Sequence, residues 1–305
     1  MTDRLTGVIA PILTPFAADG RIAQDAYAEH ARGVLAAGAH YLSPFGTTGE
    51  ANSISMRERM EAIEHLVASG AAEPGQLMPG TGLCALDETE TLCRHAVELG
   101  CVAVLVLPPF FYRNATDDGL YRYYAALVER LAATAGSRTP GICLYHIPQN
   151  TGLGISPGLA ARLAAAFPSE VVALKDSSGD WQNTQAIIRA VPELAVFPGS
   201  ESLMLPAMRL GGAGCISASV NSNAAAIRAL YDLCAVGDWD AAEAALPPVE
   251  AHRQALQQAG LIPALKALKA QQSSDPGWLR LRPPLLDAEA DQGLAVAATL
   301  PGASG

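Results

Sequence analysis

The sequence predicts an α/β fold: a closed (β/α)8 TIM barrel followed by a C-terminal helical extension. Three observations predict it. Short apolar runs alternate with longer amphipathic segments eight times in about 220 residues, and such alternation argues for parallel strands with helices between them. Eight units in that length match a barrel, which takes ~250 residues. The short runs are continuously apolar, as strands buried on both faces are. An open doubly wound sheet ranks lower, because no G-x-G-x-x-G follows an early strand.

In chain order the expected strands are 7–13 (GVIAPIL), 40–44 (HYLSP), 76–79 (QLMP), 101–107 (CVAVLVL), 141–145 (GICLY), 171–174 (VVAL), 194–197 (LAVF) and 214–218 (GCISA). The amphipathic segments between them are 25–37, 56–68, 88–99, 119–133, 157–166, 181–191 and 202–210. Ser156 before Pro157 is a helix start, with proline at the first helical position. Gly38 and Gly100 stand just past two helices, where a C-terminal cap needs them. From about residue 223 the chain reads as helix. Breaks are expected at Gly237, at Pro247 with Pro248, and between Gly260 and Pro263. This gives a barrel over 1–236 and an extension over 237–305. The tail from Ala288 reads as poorly anchored.

Half of the 305 residues are hydrophobic and 16% are charged, enough apolar material for one large core or two ordinary ones. A net charge of −10 leaves no basic footprint for nucleic acid or an anionic membrane. The six cysteines form no C-x-x-C pair, which fits a reduced, cytoplasmic compartment. The N-terminus lacks the apolar core of a signal peptide, and no run approaches the ~20 apolar residues of a membrane span. The six histidines are scattered, and only His146 adjoins a candidate site residue, Tyr145. No metal constellation emerges.

In a barrel, catalytic groups come from the C-terminal strand ends and the loops after them. Lys175 ends the apolar run VVAL. Held neutral in a dry pocket, a lysine amine becomes a nucleophile for carbonyls. Taken alone, the segment favours a lysine that merely ends its strand and points to solvent, paired with Asp176; the reactive groups at the ends of neighbouring strands reverse that reading. Tyr145 ends the preceding strand one βα unit earlier. Corresponding positions on adjacent strands are ~4.8 Å apart, so the phenol and the amine can share one pocket, where tyrosine moves protons. A core tyrosine with a satisfied hydroxyl is the alternative for a lone aromatic at a strand end, and the pairing with Lys175 favours the functional reading. The loop Gly46-Thr47-Thr48-Gly49 offers hydroxyls and backbone N–H groups suited to a carboxylate, or is an ordinary polar loop. Glu50 then reads as a helix-entry charge.

Together these motifs carry a resemblance. GTTGE at 46–50, YHIPQNTG at 145–152 and the strand-borne Leu174-Lys175-Asp176 resemble the dihydrodipicolinate synthase/N-acetylneuraminate lyase family of class I aldolases. GVIAPILTPF at 7–16 and RPPLL at 282–286 resemble it too. The resemblance covers nearly the whole chain. It implies the barrel with its helical extension and a homo-oligomer (a dimer, or a tetramer of dimers). No cofactor is expected. It implies that Lys175 forms a Schiff base with a 2-oxo acid, typically pyruvate. Tyr145 would move protons on the intermediate. Thr47 and Thr48, with Gly46 in the same loop, would bind the keto-acid carboxylate and relay protons, and Gly199 and Ile216 would line the pocket.

Two departures refine this. Members acting on aspartate semialdehyde carry arginine at the position of Asn150, and neutral asparagine cannot form a bidentate cationic clamp. Asn150 instead resembles 4-hydroxy-2-oxoglutarate aldolase-like and sugar-acid aldolase members. At the position aligned with Phe111 many members place a tyrosine across a subunit interface. Phenylalanine lacks that hydroxyl, Tyr112 is its nearest substitute, and Arg113 is a candidate for a second carboxylate. The expected reaction is reversible cleavage of a 4-hydroxy-2-oxo acid to pyruvate and an aldehyde. The alternatives are dihydrodipicolinate synthase itself, a dehydratase of 2-oxo-3-deoxy sugar acids, and a pyruvate-binding protein without turnover.

Overall fold

The computed structural model describes residues 4–134 and 141–300. Seven strands lie among them: β1 Gly7–Ala10, β2 Tyr41–Leu42, β3 Ala103–Val106, β4 Gly141–His146, β5 Val171–Asp176, β6 Ala195–Pro198 and β7 Gly214–Ile216. The pairs β1–β2, β3–β4, β4–β5 and β5–β6 are all parallel. Helices intervene within two or so residues of the expected bounds, for instance Gln24–Ala36, Met56–Ala68, Leu86–Leu99, Pro157–Ala166 and Trp181–Ala190. The chain divides into two units, one of Met1–Gly7 with Pro74–Ile216 and one of Val8–Glu73 with Ser217–Gly305.

The first unit is built on the sheet β3-β4-β5-β6. Its register is set by apolar strands that face packing on both sides: Leu105 opposes Cys143, Leu144 opposes Leu174, and Leu174 opposes Val196. These residues are buried to within 1% of full. The expected strand at 76–79 is reduced to a ladder edge. Pro74–Gln76 forms a 3-10 turn, and Pro79 and Leu77 then accept from Leu105 and Val102 at 2.8 and 3.0 Å. Pro79 at the end of the run has no N–H to donate, and the pairing survives as one isolated bridge, Gly80 with Leu105. The segment expected as one helix over 202–210 is a 3-10 turn, Glu201–Leu203, leading into Met204–Arg209.

In the second unit β1 pairs with β2, Ile9 opposite Tyr41. The C-terminal helices Trp239–Gln258, Leu261–Ser273 and Ala290–Ala297 pack on this unit's own core. Leu13 and Ala218 share one buried cluster with Leu256, Leu265, Leu268, Trp278 and Val296. Two expectations are corrected by these helices. Pro247 and Pro248 do not break the chain but lie inside one helix. Both prolines and the two residues four before them, Glu243 and Ala244, are exposed, so the prolines lie on the solvent side of the helix, where a missing intrahelical bond is tolerated. The tail is anchored as far as residue 300. Glu289 and Gln292 form a reciprocal capping box, and Val296 is fully buried. Residues 301–305 lie outside the described residues.

Candidate active site

Lys175 and Tyr145 are direct register partners on β5 and β4. Each is only 3% exposed. The Lys175 amine stands 4.4 Å from the centroid of the Tyr145 ring, so both side chains lie on the same face of the sheet. Asp176 is turned to the opposite face. Its carboxylate accepts from the Ser178 backbone and hydroxyl at 2.9 and 2.6 Å, from Asn183 Nδ2 at 2.9 Å and from Thr184 Oγ1 at 2.8 Å. A lysine ending its strand in solvent beside Asp176 is thereby corrected: the lysine is buried, and the aspartate's lone pairs go to other donors.

His146, which follows Tyr145, shares the Asp176 face. Its Nδ1 accepts from Ile155 N at 2.7 Å, which leaves the proton of the neutral ring on Nε2, 3.9 Å from Asp176 Oδ1. Burial holds its pKa below the usual imidazole value, with Asp176 pulling the other way. Behind the pair, burial pushes the Cys143 thiol up to about 12, against the pull of Lys175. That sulfur stays a thiol and does not compete for a carbonyl.

Gly199 closes against the end of β5, its N–H donating to Asp176 O at 2.6 Å. A Cβ there would sit 2.3 Å from Ser177 Oγ and 2.8 Å from Ser177 Cα, so only glycine fits. Ile216 is fully buried at the end of β7. Asn150 is exposed on the single turn Pro148–Thr151 that follows β4. Arg113 is packed across Gly152, two residues further on, with Cδ 2.8 Å from where a Cβ would be. Phe111 and Tyr112 are 75% and 72% exposed on this chain, set edge to face with centroids 5.4 Å apart. The structure does not gather these two rings with the lysine and tyrosine in one buried cluster.

The loop Gly46-Thr47-Thr48-Gly49 belongs to the second unit. Thr47 is exposed and Thr48 buried. The loop folds on itself: Gly49 N and Ala51 N donate to Gly46 O at 3.1 and 3.3 Å, and Glu50 N to Thr47 O at 3.1 Å. Thr14 Oγ1 donates to Gly49 O at 2.8 Å. A Cβ on Gly49 would lie 2.9 Å from Ile12 O, so glycine lets the loop press against the segment after β1. Glu50 ends the loop at φ 56°, in the left-handed region. It is buried, and its carboxylate pairs with the equally buried Lys266. Sequence reasoning assigned Glu50 a helix-entry charge and missed Lys266. The signal available was the lysine inside an otherwise apolar helical face, IPALKAL.

The fold that holds this site matches solved structures along nearly its whole length. Dihydrodipicolinate synthase from Agrobacterium tumefaciens str. C58 superposes with a TM-score of 0.86 and 30% identity, covering 96% of this chain and 98% of that one. The protein is thus a (β/α)8-barrel carbon–carbon lyase. Residues 4–302 match the model of the Dihydrodipicolinate synthetase family, and the chain belongs to that family. An uncharacterized DapA-like lyase of Chloroflexus aurantiacus is 36% identical over 284 residues, 92% of this chain and 91% of that protein. YagE, a prophage protein of the same family from E. coli K12 solved in complex with pyruvate, shares the fold at a TM-score of 0.81, with 23% identity and 96% of both chains covered.

Proposed function

We propose that the protein is a class I aldolase that cleaves a 4-hydroxy-2-oxo acid reversibly to pyruvate and an aldehyde through a Schiff base on Lys175. The observation that carries this reading is the buried register pair Lys175 and Tyr145, amine against ring. The complex of YagE with pyruvate supports a 2-oxo acid as the substrate class.

In this reading the neutral Lys175 amine attacks the C2 carbonyl, and the carbinolamine loses water to give an iminium. Tyr145 removes the proton of the C4 hydroxyl. The C3–C4 bond breaks, its electron pair forms the enamine and neutralises the iminium, and the aldehyde leaves. The enamine is then protonated at C3, and water releases pyruvate from the lysine. Thr47 and Thr48 bind the keto-acid carboxylate and relay protons, as the resemblance implies. Gly46, Gly199 and Ile216 shape the pocket. Assembly into a homo-oligomer, with Tyr112 serving a neighbouring site, belongs to the same reading.

Borohydride reduction in the presence of pyruvate, followed by peptide mass analysis, tests the first step. The expected result is a reduced pyruvate adduct on Lys175, and its absence refutes the Schiff base. Release of pyruvate from a panel of 4-hydroxy-2-oxo acids, against loss of water from 2-oxo-3-deoxy sugar acids, separates aldolase from dehydratase. An adduct without turnover on either panel identifies a pyruvate-binding protein. A second reading rests on Arg113, packed against Gly152, two residues beyond Asn150. It gives the site a cation for an aldehyde that carries its own carboxylate, aspartate semialdehyde included. A coupled assay with that aldehyde decides it.

A further inference from the structure

Beneath the Gly46–Glu50 loop lies a charged cluster that the proposed chemistry does not use. Lys266, on the helix Leu261–Ser273, is fully buried. Its ammonium pairs with Glu50, donates to Arg280 O at 2.6 Å and stands 4.5 Å from the centroid of the Phe16 ring. The Arg282 guanidinium stands 4.6 Å from that ring, and its backbone N–H donates to the other Glu50 oxygen at 3.0 Å. Arg282 Nη1 donates to Ser53 O at 3.0 Å and to Glu58 Oε2 at 3.1 Å. Ser53 Oγ donates to Pro283 O at 3.0 Å. The segment 280–283 is thus laced to the chain that follows the loop, and Lys266 holds the loop's last residue.

We propose that Lys266 is a positioning residue of the active site: through its buried ion pair with Glu50, the C-terminal extension fixes the conformation of the Thr47-Thr48 loop. Three physical points carry this. Glu50 is a non-glycine residue held at φ 56°, a conformation that persists only where the surroundings over-determine it. Its N–H donates to Thr47 O, so a shift of Glu50 is passed directly to the threonines. A buried ion pair is weak evidence for stability in itself, and its best-attested use is to fix a register. Burial lowers the Lys266 ammonium to about 8, with Glu50 and Asp287 pulling the other way and Arg282 adding to the fall.

The proposal rests on the reading that the loop binds the keto-acid carboxylate, and the experiment separates the two. Pyruvate is titrated against borohydride trapping in the wild type, in Lys266→Met, and in the doubly neutral Lys266→Met/Glu50→Gln variant. The double variant removes both buried charges and so folds where the single variant fails. Hydrogen exchange of the peptide covering 46–51 is measured alongside. The expected result in a folded variant is a half-saturation raised roughly tenfold or more, a trapping rate at saturation within about twofold of wild type, and faster exchange in that peptide. Loop exchange unchanged from wild type overturns the positioning role whether or not pyruvate is trapped. Faster exchange with unchanged half-saturation overturns its link to the substrate. A wild type that traps nothing on Lys175 refutes the aldolase reading, and loop exchange still decides the tether.

Discussion

Strand alternation divides the residues at the end of β5 between two tasks. Lys175 faces Tyr145, while Asp176 and His146 face a shell of hydroxyl, amide and imidazole groups that pins the strand end. Tyr145→Phe keeps the ring against the amine and removes only the hydroxyl. The expected outcome is a fall in kcat of about 10²–10⁴, with a pyruvate adduct still trapped on Lys175. Retention of wild-type kcat sinks the proton-transfer role. Gly199→Ala places a methyl 2.3 Å from Ser177 Oγ and 2.8 Å from its Cα. Overpacking of this kind costs about 1–3 kcal/mol, so a lowered urea midpoint is expected together with weaker pyruvate trapping. Lys175 and Tyr145 were legible in the sequence because strand ends one βα unit apart are neighbours by construction. Lys266 left a trace as a lysine in an apolar helical face, but its pairing with Glu50 was not legible, because nothing local links the two.

Helices and strands were legible wherever period and length agreed, and misread where proline was taken as a full stop. Pro247 and Pro248 interrupt a pattern in sequence, yet the helix Trp239–Gln258 runs through them on its solvent side. The buried Val249, His252 and Leu256 hold the following turns in place. Packing of that apolar face outweighs a local cost of ~3 kcal/mol for an interior proline. Pro247→Ala returns an N–H to the helix and removes the ring, and it loosens the unfolded chain by about 0.4–1 kcal/mol. The helix term is larger, so a net gain of about 2 kcal/mol is expected in urea denaturation. A loss on substitution shows that the prolines are part of the native packing. The short strand at 76–79 fails for the opposite reason: the apolar run is suggestive in composition, but Pro79 at its end has no N–H to donate to the ladder.

At the scale of the molecule, eight β/α units and a family resemblance announced the fold class, while the packing of the extension was invisible. The sequence put its tail loose, yet Val296 lies in the same buried cluster as Leu13, and His30 meets Trp278 edge-on with centroids 5.1 Å apart. Complementarity between segments at opposite ends of a chain leaves no periodic trace. His30 turns that packing into a pH dependence. It is buried, its Nε2 pairs with Asn221 Oδ1 at 2.8 Å, and burial brings its pKa down to about 4. In the unfolded chain it titrates near ~6.5. Between those values the unfolded state binds a proton that the folded state refuses, so stability rises with pH and is lost on acidification. The window runs from about 6.5 down to about 4. Across it this one group removes about 3 kcal/mol. His146 and His40, also lowered mainly by burial, act in the same direction. Glu58, brought down to about 2 chiefly by Arg282, adds its share only at lower pH, below its own unfolded value. His30→Gln keeps a donor for Asn221 and cannot titrate. Its urea midpoint is expected to vary less between pH 6.5 and 4 than that of wild type. Parallel profiles for the two proteins would mean that acid acts through other groups and that His30 takes up its proton without opening the core.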